Sequence, residues 1–133
     1  MSADVVSVLI VDDQAPFRLA AGAVIRSTPG FELRGEAATG EEAIDRVGEL
    51  MPALVLMDIS MPGISGIEAT RRILAQRPAT VVFLCSTYQL DDLPSDAATS
   101  GAVAYVNKEK LGPELLRHLW DRRVEGRSDM LRP

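Results

Sequence analysis

One short run of apolar residues constrains the fold of this chain more than any other feature. Residues 53–57 are all apolar, the run ends at Asp58, and Pro62 and Gly63 mark a turn shortly afterwards. Apolar residues without polar alternation predict a strand that is buried on both faces, as in a parallel sheet covered by helices. Such sheets bind ligands beyond the carboxyl ends of their strands. The pattern therefore places Asp58 at the rim of the core.

Four further apolar runs alternate with amphipathic segments. The predicted strands cover residues 5–11, 31–37, 53–58, 80–85 and 101–107. The predicted helices lie between and after them: from Pro16 to about residue 29, residues 39–51, residues 65–77, a short fourth helix that begins near Pro94, and residues 113–124. This alternation predicts an α/β fold with a parallel sheet, and right-handed crossovers favour a flavodoxin-like (βα)5 fold with strand order 2-1-3-4-5. We expect one domain, residues 1–124, and a short tail, residues 125–133.

Composition narrows the class of protein. The chain has 133 residues, enough for one domain, and its net charge of −5 argues against a surface that binds nucleic acid. Cys85 is the single cysteine, which excludes an internal disulfide and fits a reducing compartment. No apolar stretch reaches the length of a membrane span, and the N-terminus lacks the pattern of a signal peptide. We expect a cytoplasmic protein that contacts no membrane and does not itself bind DNA.

Five polar residues follow the predicted strands. In the order 2-1-3-4-5, the carboxyl ends of adjacent strands bring together Asp12, Asp13, Asp58, Ser86 and Lys108. Two carboxylates about 5 Å apart repel by roughly 3 kcal/mol at an effective dielectric constant near 20. Three of them should therefore bind a proton or a cation. A hard divalent cation with oxygen ligands, most plausibly Mg²⁺, fits such a cluster.

These residues suit phosphoryl transfer to a carboxylate. Asp58 would be the nucleophile, a metal ion would neutralise charge on the incoming group, and Lys108 would add a second positive charge. Ser86 would offer a hydroxyl to a phosphoryl oxygen. Taken singly, each residue has a simpler explanation, since Asp12 or Asp13 could cap the first helix and the others could be ordinary polar residues at strand ends. Their convergence favours the phosphoacceptor site.

The same residues resemble the receiver domain of two-component response regulators. The matching segments are residues 9–13 (LIVDD), 56–63 (LMDISMPG), 66–68 (GIE), 83–88 (FLCSTY) and 101–108 (GAVAYVNK). The resemblance covers residues 5 to about 124. Each segment alone is a weak signal, but five segments in order at the expected spacing are specific.

The resemblance implies a role for each acidic residue. Asp58 matches the phosphoacceptor. Asp13 and Asp58 would bind Mg²⁺ directly, together with the backbone carbonyl of Ser60, and Asp12 would act through a metal-bound water. The phosphodonor would be a sensor histidine kinase or a phosphotransfer protein. Ser60 and Tyr88 flank the site, and the bulk of Tyr88 is expected to slow dephosphorylation.

The resemblance also implies a conformational switch. Ser86 matches the switch hydroxyl, Lys108 the lysine that pairs with the phosphoryl group, and Tyr105 the aromatic residue that turns inwards when the hydroxyl moves. Two departures stand out. Glu109 occupies a position where many receivers have proline, often with a cis bond, and Pro94 shortens the predicted fourth helix.

Three hypotheses about function remain. The first is a stand-alone receiver that is not an enzyme beyond its own phosphorylation and slow dephosphorylation. It would signal to an unknown output protein, or as a homodimer, through the face formed by residues 95–124. The second is a receiver-fold binding module that acts independently of phosphorylation. The third is a metal-dependent phosphatase, for which the sequence offers no acid–base residue beyond the cluster. A DNA-binding regulator fits only if the chain is part of a longer one.

Overall fold

The computed structural model describes residues 5–87 and 92–123, in which strands and helices alternate over most of the chain. The strands are β1 Val6–Val11, β2 Phe31–Ala37, β3 Leu54–Asp58, β4 Val81–Ser86 and β5 Ala104–Asn107. The helices are α1 Ala15–Arg26, α2 Gly40–Leu50, α3 Gly66–Gln76 and α4 Pro113–Arg122, and a 3₁₀ turn covers Lys108–Lys110.

The five strands form one parallel sheet in the order β2-β1-β3-β4-β5, which confirms the predicted topology. Every residue of β1, β3 and β4 is buried, as expected for strands covered on both faces. Their side chains divide into two apolar clusters, one on each face of the sheet. The registry pairs Asp58 with Cys85 and Ser86 with Asn107, so the carboxyl ends of these strands lie side by side.

Helix caps explain two of the helix boundaries. The hydroxyl of Thr39 accepts a hydrogen bond from the amide of Glu42, whose carboxylate accepts one from the amide of Ala38. The first bond satisfies an amide that the first turn of α2 leaves without a partner, and the second ties the residue before the N-cap to the helix. Ser65 caps α3 in the same way, through a 3.1 Å bond from the amide of Glu68. The chain segments that precede α2 and α3 are thereby fixed close to the carboxyl edge of the sheet.

The predicted fourth helix is wrong for the residues that the structure describes. Residues 92–100 form turns and bends without an α-helix, and β5 begins at Ala104 and not at residue 101. Pro94 lacks the amide that a helix needs, and the hydroxyls of Thr99 and Ser100 bond the carbonyls of Asp96 and Ala97. These side-chain bonds stabilise turns in place of a helix. The crossover from β4 to β5 is therefore irregular over its described part.

The peptide bond between Lys108 and Glu109 is trans. No cis peptide bond occurs among the described residues, so Glu109 does not reproduce the cis bond that proline often makes at this position. Instead, the side chain of Asn107 accepts a 2.9 Å bond from the amide of Glu109 and begins the 3₁₀ turn. Within residues 5–87 and 92–123, no helix is both long and apolar enough to span a membrane.

Candidate functional site

Three carboxylates meet at the carboxyl edge of the sheet. Asp12 and Asp13 follow β1, and Asp58 is the last residue of β3, the next strand in the sheet. One oxygen from each of the three carboxylates lies within 4.8 Å of the others. Asp12 is fully buried, Asp58 is 4% exposed and Asp13 is half-buried. The predicted convergence of these residues is therefore present in the structure.

Asp12 is held in place by three hydrogen bonds, two through its backbone and one through its side chain. Its amide donates to the carbonyl of Ala37 at the end of β2, and its carbonyl accepts a 2.6 Å bond from Nη1 of Arg18. Its carboxylate oxygen Oδ1 accepts a bond from the amide of Gln14 at 2.8 Å. Gln14 is the N-cap residue of α1, and no side chain caps that helix. Asp12 therefore fixes the turn before α1 and does not act as the N-cap that its position allowed.

Lys108 reaches into the pocket from the end of β5. Its Nζ lies 2.5 Å from Oδ2 of Asp12 and 3.2 Å from Oδ1 of Asp58. The contact with Asp12 is a close ion pair with a fully buried carboxylate, and the lysine side chain is itself only 15% exposed. The ring of Phe17 lies beside the ammonium, with its centroid 4.7 Å from Nζ.

The pKa of Asp58 shows how incompletely Lys108 neutralises the pocket. Burial and the charge of Asp12 raise this pKa to about 6, and the opposing effect of Lys108 does not cancel them. Burial opposes the charge of Lys108, but the adjoining Asp12 and Asp58 carboxylates outweigh it and raise the pKa of the ammonium. Three carboxylates against one ammonium leave an excess of negative charge in a partly dry pocket.

These observations fit a divalent cation. Oxygens bound to one Mg²⁺ at its usual distance lie at most about 4.2 Å apart, so small side-chain movements would suffice to close the cluster. The carboxylate of Asp13 is half-buried and open to solvent, and the ammonium of Lys108 lies against Asp12 Oδ2 on the inner side of the pocket. Ser60, whose carbonyl was predicted as a further ligand, lies in the exposed loop between β3 and α3. The donor set is entirely oxygen, as a hard cation requires.

The two predicted switch residues contact each other. The hydroxyls of Ser86 and Tyr105 lie 3.0 Å apart, and the Tyr105 hydroxyl also donates to the carbonyl of Ser86 at 3.3 Å. Ser86 is buried at the end of β4, and Tyr105 is half-buried on the neighbouring strand β5. Burial raises the pKa of the tyrosine, whose hydroxyl therefore stays protonated at neutral pH. Tyr88 lies outside the described residues.

Several residues at the site were not predicted from the sequence. Phe17 contacts Lys108, Arg18 binds the carbonyl of Asp12, and Glu41 accepts a 3.2 Å bond from the amide of Ile64 in the loop after Asp58. A Cβ atom at Gly66 would lie 1.9 Å from the carbonyl oxygen of Asp58, so only glycine fits there. Gly66 belongs to a segment that the resemblance included, but nothing in the sequence showed what approaches it.

Comparison with known proteins identifies the family. A family model described as the response regulator receiver domain matches residues 8–119. The response regulator GacA of Pseudomonas viridiflava is 36% identical over 103 residues, which cover 77% of this chain and 48% of that protein. A protein-glutamate methylesterase/protein-glutamine glutaminase of Geobacter metallireducens is 41% identical over 100 residues, which cover 74% of this chain and 29% of that enzyme. The chain thus spans about half the length of these curated relatives, or less.

Solved structures give the same result. The response regulator domain of Thermotoga maritima CheB superposes with a TM-score of 0.79 at 32% identity, over 90% of this chain and 96% of that one. A two-component response regulator of the LuxR family from Aurantimonas sp. SI85-9A1 superposes with a TM-score of 0.82 at 30% identity, over 92% and 88% of the two chains. Both share the doubly wound fold that carries the acidic pocket.

Proposed function

Because the chain belongs to the response regulator receiver domain family, whose general role is phosphorylation-dependent signalling, we propose that Asp58 accepts the phosphoryl group. The observation that carries the proposal is the position of Asp58 at the end of β3, with Lys108 Nζ 3.2 Å from its carboxylate and two further carboxylates beside it. An ammonium at this distance would also lie near a phosphoryl group on Asp58. The pocket thus offers a nucleophile and a positive charge that stabilises the product.

The transfer forms one bond and breaks another. An oxygen of the Asp58 carboxylate attacks phosphorus while the bond between phosphorus and the donor breaks. The donor would be a phosphohistidine of a sensor kinase or phosphotransfer protein, whose imidazole leaves, or acetyl phosphate, which leaves as acetate. Lys108 balances the charge that gathers on the phosphoryl oxygens.

Asp13 and Asp58 would hold Mg²⁺ with the carbonyl of Ser60, and Asp12 would act through a bound water. When bound, the ion supplies electrostatic neutralisation for a phosphoryl group that enters an already negative pocket. Three carboxylates and one ammonium carry a net charge of about −2, which a divalent cation balances. The charge of the pocket and the proximity of its carboxylate oxygens support a divalent cation in this position.

Phosphorylation would change the Ser86–Tyr105 contact. A phosphoryl group adds negative charge and strong hydrogen-bond acceptors to Asp58. Ser86 lies one residue beyond the registry partner of Asp58, so its hydroxyl can turn towards the new oxygens. It would then give up its 3.0 Å contact with the Tyr105 hydroxyl, and Tyr105 would turn inwards. We propose this exchange as the step that links the site to the face of β5 and α4.

The output would be protein binding. The proposed partner face, residues 95–124, includes β5 and α4, and it would bind an unidentified output protein or a second copy of the chain. A partner that prefers the phosphorylated arrangement of this face would be thermodynamically coupled to Asp58. Sedimentation of the phosphorylated and unphosphorylated protein tests the homodimer, since a monomer mass that does not change with concentration in either state argues against it.

Acetyl phosphate with Mg²⁺, followed by intact mass spectrometry, tests the proposal. The protein should gain one phosphoryl group, and Asp58→Asn should gain none, while the exposed control Asp45→Asn should react like the unsubstituted protein. No modification, together with unchanged partner binding by Asp58→Asn, would support a binding module that ignores phosphorylation. Sustained release of phosphate from small phosphate esters would instead support a phosphatase.

A further inference from the structure

We infer that Phe17 is a positioning residue for the transfer, and that its ring holds the Lys108 ammonium in the pocket where the phosphoryl group arrives. The inference rests on the proposed function of Asp58. It assigns a role to a side chain on the first turn of α1, the helix whose Arg18 also bonds the backbone of Asp12.

The contact is a cation–π interaction. Nζ of Lys108 lies 4.7 Å from the centroid of the Phe17 ring, within the distance at which the negative face of a ring attracts a cation. The lysine side chain is only 15% exposed, so water competes weakly with the ring. Interactions of this kind strengthen as the partners lose solvent.

Phe17 is itself held in place. It packs against the apolar cluster on one face of the sheet, which includes Ile10 and Val106 from β1 and β5. Its backbone is fixed at the start of α1, where its amide donates to the carbonyl of Gln14 at 3.1 Å. A ring anchored in the core provides a fixed surface for a long side chain that otherwise has several rotatable bonds.

The backbone around Lys108 does little to fix the position of its side chain. Lys108 is the first residue of the 3₁₀ turn after β5, and the next residue is Glu109 with a trans peptide bond, so no rigid cis-proline directs its backbone. Its Nζ atom lies closer to the Asp12 carboxylate, at 2.5 Å, than to the Asp58 carboxylate, at 3.2 Å. A phosphoryl group on Asp58 would attract the ammonium towards its oxygens. The face of a ring has no fixed bonding direction, so the ammonium can shift across the fixed ring without losing the contact.

The test compares rates of phosphorylation by acetyl phosphate in saturating Mg²⁺. Phe17→Leu keeps an apolar side chain but removes the ring, and its rate should fall about three- to tenfold. Phe17→Tyr keeps the ring and should restore the rate to within about twofold of the unsubstituted protein. Leu19→Ala is the matched control, because Leu19 lies on the same helix but is 73% exposed, and its rate should not change.

A double-mutant cycle separates positioning from a structural effect. In a Lys108→Ala background, Phe17→Leu should have no further effect on the rate, because the ammonium that the ring holds is gone. An equal fall in rate in both backgrounds would overturn the inference. An unchanged rate in the single variant Phe17→Leu would also overturn the inference about Phe17. If the unsubstituted protein is phosphorylated in the same experiment, the proposed role of Asp58 would still stand. An unsubstituted protein that is never modified would instead contradict the proposed function.

An NMR measurement on the unsubstituted protein tests the same contact without relying on the folding of Phe17→Leu. In the unsubstituted protein, the ring current of Phe17 should shift the side-chain methylene protons of Lys108 upfield in the NMR spectrum, with Lys108→Arg used to assign the signals. Methylene protons at ordinary lysine positions would overturn the inference regardless of how Phe17→Leu folds.

Discussion

The ammonium of Lys108 lies 2.5 Å from Oδ2 of Asp12, a fully buried carboxylate oxygen, and 3.2 Å from Oδ1 of Asp58. The lysine thus sits closest to the most deeply buried of the three carboxylates. A cation that enters the cluster competes with this ion pair. The affinity of the pocket for metal, its protonation and the position of the lysine are therefore linked.

Asp12→Asn should weaken Mg²⁺ binding by about 10- to 100-fold, the usual effect of losing a group that acts on a metal through water. The substitution removes a charge but keeps an oxygen that can accept the bond from Gln14. Isothermal titration calorimetry measures the affinity, and Asp45→Asn is the control for a lost surface charge. Equal affinities in Asp12→Asn and the unsubstituted protein would show that Asp12 takes no part in the metal site.

Asp58→Asn should stabilise the metal-free protein at pH 7. The folded-state pKa of Asp58 is raised to about 6 from 3.8, so the folded protein binds this proton more tightly than the unfolded chain does. The free energy of unfolding therefore falls as the pH rises from 3.8 to about 6, and it remains at the lower value at higher pH. Removing the charge should restore about 1 to 3 kcal/mol at pH 7.

Urea denaturation in a chelating buffer measures this gain. It should disappear below the unfolded-state pKa of 3.8, where both states carry the proton. It should also shrink in saturating Mg²⁺, because the ion stabilises the carboxylate. An asparagine variant that is less stable than the unsubstituted protein at pH 7 without metal would refute the charge balance described for the pocket.

Gly66→Ala should destabilise the protein by about 2 to 3 kcal/mol, because its Cβ would overlap the carbonyl of Asp58 at 1.9 Å. Backbone must move to relieve the overlap, and the backbone that moves carries the phosphoacceptor. Gly48→Ala is the matched control, since a Cβ there meets nothing within 4 Å and alanine favours the interior of α2 by about 0.5 to 1 kcal/mol. Thermal unfolding of both variants measures the difference. Similar melting temperatures would show that α3 approaches Asp58 less closely.

Arg18→Gln should lower the affinity for Mg²⁺ several-fold with a loss of stability of about 1 kcal/mol. The guanidinium donates to the carbonyl of Asp12 and pairs with Glu36 at 3.0 Å, so it joins α1 and β2 to the turn that carries the two adjacent aspartates. Arg72→Gln removes an exposed pair with Glu68 and serves as the control. Calorimetry and denaturation on the same samples give both quantities. A loss of stability at unchanged metal affinity would leave Arg18 a purely structural role.

Topology was predictable because it follows from patterns along the chain. Apolar runs give strands, and their alternation with amphipathic helices gives a parallel sheet whose order few connections can satisfy. The convergence of Asp12 and Asp58 follows from that order, since β1 and β3 are adjacent and the carboxyl ends of adjacent parallel strands must meet. Lys108 follows the edge strand β5 and reaches both carboxylates through its long side chain.

Side-chain hydrogen bonds that compete with a helix, and contacts between distant segments, explain the features that the sequence did not predict. Residues 95–100 have a polar and alanine-rich composition that suits a short helix, but the hydroxyls of Thr99 and Ser100 bond nearby carbonyls and stabilise turns. The contact of Phe17 with Lys108 joins residues 91 positions apart, and no periodicity signals it. Gly66 is similar, because the requirement for glycine arises from the approach of another segment.

Locating the phosphoryl group after reaction with acetyl phosphate and Mg²⁺ tests the central claim most directly. Borohydride reduction of the phosphorylated protein, followed by peptide mass spectrometry, converts the acyl phosphate to a stable mark on the residue that carried it. The mark should lie on Asp58 alone. A mark on Asp12 or Asp13, or a phosphorylated protein in which Asp58 is unmarked, would contradict the account.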